Sequence, residues 1–79
     1  MGQEVDPDDL ERVRLAAAQF RSEPAREREI HDRFGNVTAF WQRVRVLIVT
    51  PEMMEALPVQ CRMLRERMDR LSRSRSTRV

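Results

Sequence analysis

Five residues punctuate this chain: Pro7, Pro24, Gly35, Pro51 and Pro58 divide it into short segments. A helix does not run through a proline, and the residue before one avoids helical geometry. Glycine is the usual left-handed stop at a helix end. None of the segments shows alternating β-branched residues between hairpin turns, so no sheet is expected. What remains is an all-α chain. We expect a small bundle of four main helices with a helix-turn-helix-like core, a long C-terminal helix and a disordered basic tail. Residues 1–5 read as a flexible N-terminus, 6–71 as a single helical domain and 72–79 as the disordered Arg/Ser tail.

The segments carry helix signals. Asp6 is a good N-cap, Pro7 suits the first helical position, and Asp8 and Asp9 sit in the first turn. Leu10, Val13, Ala17 and Phe20 recur at helical spacing, and Ser22-Glu23-Pro24 should end this helix and start the next. The second helix runs through Ile30 and Phe34 to Gly35. The third covers roughly 37–49, with Val37, Phe40, Trp41, Val44, Leu47 and Ile48 on one face. Thr50-Pro51-Glu52 ends it and opens a short helical turn through Met53, Met54 and Leu57. The fourth main helix runs from Val59 to about Leu71. Phe20, Ile30, Phe34, Trp41, Val44 and Leu47 are the expected core.

Composition excludes several functions. With 79 residues the core is small and stability marginal, so a partner is useful. One cysteine forms no internal disulfide and fits a reducing, cytoplasmic setting. One cysteine and one histidine do not make a zinc site, so no metal or other cofactor is expected. His31 reads as a surface residue and Cys61 as core, which leaves no catalytic group and no small-molecule substrate. No apolar run approaches the roughly 20 residues of a membrane span, and the polar start is unlike a signal peptide.

All fifteen basic residues are arginine. That fits phosphate and guanine contacts, and it equally fits GC-rich codons. The distribution is more informative: residues 1–36 carry nine acids against six arginines, and residues 62–79 carry seven arginines against Glu66 and Asp69. Such a basic end seeks an anion, or the acidic front of another copy.

Three constellations matter. Ile30, Phe34, Gly35, Trp41 and Val44 make a helix–glycine–helix unit, either a helix-turn-helix or a plain helical hairpin. Opposite its apolar face lie Ala39, Gln42, Arg43 and Val46, flanked by Thr38 and Arg45; Gln42 and Arg43 are the candidates for adenine and guanine edges. Leu57, Cys61, Leu64, Met68 and Leu71 form a heptad seam, which packs on its own chain or on a partner. Val46 and Val49 point away from the expected core. A homodimer would use Val46, Val49, Cys61, Leu64, Met68 and Leu71. Arg62, Arg65, Arg67, Arg70, Arg73, Arg75 and Arg78 either track phosphates or form a solvated face.

Phe34-Gly35, Thr38, Phe40-Trp41-Gln42-Arg43, Leu47-Ile48, Thr50-Pro51-Glu52, Pro58 and Arg62-x-Leu64-Arg65 resemble an actinobacterial family of small Arg-rich helical proteins. It is known as a domain of unknown function, number thirty-two sixty-three. The resemblance covers about residues 13–70 and is most specific from Thr38 to Arg65. The family pattern has T-x-Y-Y-Q at the third helix, a turn one residue longer after the glycine, and an arginine where this chain has Ala39. Its first-helix aromatic cluster is reduced here to Leu15 and Phe20. The resemblance implies a helix-turn-helix-like fold, similar in look to sigma-factor DNA-binding segments, with no assigned activity. The expected function is a non-enzymatic DNA-binding transcriptional regulator acting as a dimer; the alternative is a module that binds a protein and never touches DNA. The expected DNA contacts are Thr38, Ala39, Gln42, Arg43, Arg45, Arg62, Arg65, Arg73 and Arg75.

Overall fold

A computed structural model describes the backbone of residues 5–76 and the side chains of residues 5–71. Among the described residues there are five helices and no strand: α1 (Pro7–Ala17), α2 (Glu23–Phe34), α3 (Val37–Leu47), α4 (Pro51–Ala56) and α5 (Pro58–Ser76). The expected short turn after Thr50 is α4. Pro58, read as a breaker, is the first residue of α5, where its missing amide donor costs nothing. Residues 77–79, and the expectation of disorder for them, lie outside the described residues. Helix α5 itself continues to Ser76, past the expected end near Leu71.

Side-chain caps fix the starts of the first four helices. Asp6 accepts from the Asp8 amide at 2.8 Å, Ser22 from Ala25 at 3.3 Å, Asn36 from Ala39 at 2.8 Å and Thr50 from Met53 at 3.3 Å. Each bond satisfies an amide that has no carbonyl partner in its own helix. Gly35 ends α2 at φ 86°, its amide donating to the His31 carbonyl at 2.9 Å. Space around it is open, so a side chain there would be opposed by the backbone conformation alone.

Helix α1 ends at Ala17 instead of running on to Ser22. The chain turns extended at Ala18 (φ −66°, ψ 152°). The Ala18 carbonyl accepts from the guanidinium of Arg26, which also pairs with Glu23. A buried cation at the C-terminal end of α1 complements the helix dipole. Phe20 therefore belongs to the α1–α2 loop, half-buried, with the Arg26 guanidinium carbon 5.2 Å from its ring centre.

Helix α1 is the shared element. It packs against α2, α3 and α5, while α2 also packs on α3 and α4 on α5. The core runs through Val13, Ala16, Ile30, Phe40, Val44, Ile48, Met53, Cys61 and Leu64. Ile30, Val44 and Leu47 are buried as expected, whereas Phe20, Phe34 and Trp41 are only partly buried. Phe40, the neighbour of Trp41, is the central aromatic residue. It is 2% exposed, lies 5.4 Å from the Phe34 ring and stands edge-on to Trp41 at 5.2 Å. Adjacent positions on a helix are about 100° apart, so only one of Phe40 and Trp41 can face the centre.

Candidate nucleic-acid interface

Only Gly35 and Asn36 separate α2 from α3, so the second helix starts almost at once. With α1 packed across both, the inward face of α3 is spent on Phe40, Val44 and Leu47. Thr38, Ala39, Gln42, Arg45 and Val46 are exposed on the other side. This is the face the sequence assigned to a ligand.

The face is bounded by α5. Thr38, Trp41, Gln42 and Arg45 form one wall of a groove of about 790 Å³; Leu64, Arg67, Met68 and Leu71 form the other, and Glu23 also borders it. A second hollow shares Arg45, Met68 and Leu71 and adds Ile48, Val49, Arg65 and Asp69. The structure thus brings Thr38, Gln42 and Arg45 of α3 together with Arg67 of α5, and Arg45 with Arg65, residues twenty or more positions apart in the chain. Arg62 is exposed on α5 but borders neither hollow. Arg73 and Arg75 fall on the α5 backbone, and their side chains lie outside the described residues.

Arg43 has a different employment. Its Nη2 donates to Asp9 Oδ2 at 2.9 Å and its Nε to Asp9 Oδ1 at 3.3 Å, joining α3 to α1. Arg12 Nη1 reaches the same carboxylate at 2.8 Å. The Asp9 side chain is 10% exposed and that of Arg43 52%. The hydrogen bond from Arg43 lowers the Asp9 pKa, with the charges of Arg43 and Arg12 adding to the effect against the cost of burial. The same bond raises the Arg43 pKa above its ordinary value. Arg43 therefore clamps α3 to α1 beside their shared apolar core, and reaching a guanine would require giving up Asp9. The sequence held the clue in Asp9, Val13 and Ala16: a carboxylate on an otherwise apolar stripe needs a partner. Arg26, four residues before Ile30, is a similar case.

The residues assigned to a dimer divide. Cys61 and Leu64 are each 2% exposed within their own chain, so the first turns of the seam are used internally and are closed to a partner. Burial pushes the Cys61 thiol pKa up, partly offset by Arg65, as befits an inert core thiol. Val46, Val49 and Leu71 are exposed at 55%, 57% and 61%, and Met68 is half-buried. No helix among the described residues is long and apolar enough to cross a membrane.

Fold and surface together define an all-α module that presents one helix face beside an arginine-bearing helix. The chain belongs to the family described as "Protein of unknown function (DUF3263)", whose model matches residues 4–79. No curated protein and no solved structure matches it.

Proposed function

We propose that this protein is a non-enzymatic DNA-binding module of helix-turn-helix-like build, serving transcriptional regulation. Helix α3 enters the major groove, with Thr38, Ala39 and Gln42 toward base edges and Arg45, Arg65 and Arg67 toward phosphates. One observation carries this reading: Thr38, Gln42 and Arg45 of α3 line the same concavity as Arg67 of α5. A reading surface and a phosphate-contacting surface are then contiguous. The acid-rich first 36 residues disfavour approach through α1 and α2. Arg43 acts here by adding stability to the α1–α3 contact. The exposed Val46 and Val49 are the residues left for pairing two copies on a two-fold site.

The test is a fluorescence-anisotropy titration of random and genomic-fragment duplexes at several salt concentrations. Binding should weaken with salt, and Arg67→Ala should reduce the slope by up to about 0.9 log unit for one lost phosphate contact. Absence of binding at low salt by folded protein would remove DNA from the account. A second reading, docking of a protein helix, is favoured by a separate feature: the apolar floor of the same groove.

A further inference from the structure

The floor of the α3–α5 groove is more apolar than a nucleic-acid backbone requires. Trp41, Leu64, Met68 and Leu71 line it, and Leu71 is 61% exposed at its edge. Phosphates gain nothing from such a surface, whereas the apolar face of a helix does. Arginine stands on both walls, Arg45 on α3 and Arg67 on α5, and Arg65 borders the adjoining hollow. Of the carboxylates nearby, Glu23 is already paired with Arg26, and Asp69 borders only the adjoining hollow. From Thr38 to Arg45 the α3 wall is two turns long, about 10 Å at the helical rise.

We infer that this groove docks an amphipathic helix of a partner protein, a segment of two to three turns whose apolar stripe is flanked by carboxylates on both edges. The stripe covers Trp41, Met68 and Leu71. The carboxylates meet Arg45 on one side and Arg67 on the other. A second copy of this chain suits the site less well. Its own exposed amphipathic helix, α5, has Arg65 and Arg67 on either side of Met68, and docking through it sets arginine against arginine. The inference is independent of DNA binding. Where both ligands bind, they compete for Arg45 and Arg67, so the partner helix excludes the duplex.

Trp41 is the chain's single tryptophan and lies in the groove, so its emission reports occupancy directly. Two designed helical peptides of about 14 residues serve as probes, a length at which a solitary helix is marginal and docking stabilises it. Both carry a leucine stripe; one is flanked by glutamate and the other by lysine. The glutamate peptide should shift Trp41 emission to shorter wavelength and saturate, and the lysine peptide should do neither. Reversing both walls with Arg45→Glu and Arg67→Glu should weaken the glutamate peptide at least about tenfold. Leu71→Asp should weaken it as well, at an exposed position where circular dichroism can verify that the fold persists. An unmoved Trp41 signal would overturn the inference, as would equal binding of the two peptides. A blue shift produced by protein concentration alone, with a dimer in sedimentation, would put a second copy in the groove and overturn it too.

Discussion

The two halves of α5 carry one continuous apolar stripe and meet different surroundings. Cys61 and Leu64 are each 2% exposed against the core, whereas Leu71, two turns further on, is 61% exposed. Met68 lies between them, half-buried and facing the groove. Spacing at three, four and three residues marks a face that needs covering. It says nothing about whether the cover comes from the same chain. Here α1 and α4 pack on α5, while Met68 and Leu71 line the groove left open beside α3. The pair Phe40 and Trp41 repeats the lesson across one peptide bond: one fills the core and the other lines the groove.

The sharpest way to break the comparison is at the aromatic pair. Phe40→Ala should cost about 3–5 kcal/mol, close to the whole stability of a domain this small. Trp41→Ala, removing a half-buried ring, should cost about 1–2 kcal/mol by the same logic. Urea unfolding followed by circular dichroism checks both, and equal losses would contradict the different placement of the two rings. The halves of α5 come next. Leu64→Ala should cost about 2–4 kcal/mol, and Leu71→Ala should stay within about 0.5 kcal/mol. A Leu71 variant as unstable as the Leu64 variant would mean the stripe is covered along its whole length.

A smaller effect separates Arg43 from its neighbours on α3. Arg43→Ala should cost about 1 kcal/mol, the value of a charged hydrogen bond discounted for a half-exposed partner. Its signature is pH dependence. The Asp9 pKa is lowered in the folded protein, so this contribution is present above the ordinary carboxylate range. It is lost as pH falls through the lowered folded-state value. The parent should therefore lose more stability than Arg43→Ala on acidification from pH 5 to about pH 3. Parallel acid titrations of the two proteins would contradict the clamp.

Much of this molecule is legible in its sequence because its ends are marked locally. Asp6, Ser22, Thr50, Gly35 and the prolines act within one turn, and the helices begin where they indicate. The end of α1 is not marked in this way. No glycine or proline stands near Ala18; its carbonyl is instead taken by Arg26, eight residues later. The candidate site divides along the same line. Thr38, Ala39, Gln42 and Arg45 are exposed as helical periodicity implies. Arg43 shares that periodicity, but its fate is set by Asp9, thirty-four residues away. The groove is also a tertiary product, formed where α3 and α5 flank α1 without a matching seam of their own.

The most direct measurement of the central claim compares Gln42→Ala with Arg43→Ala by fluorescence anisotropy, using the tightest-binding genomic-fragment duplex and a random one at fixed low salt. If the exposed strip of α3 reads bases and Arg43 serves only the stability of the α1–α3 contact, Gln42→Ala should erode discrimination between the duplexes by about 1–3 kcal/mol. Arg43→Ala should leave that discrimination nearly intact while lowering thermal stability. Loss of discrimination in Arg43→Ala with none in Gln42→Ala would contradict the assignment, and equal affinity of the parent for both duplexes would remove base reading from α3 altogether.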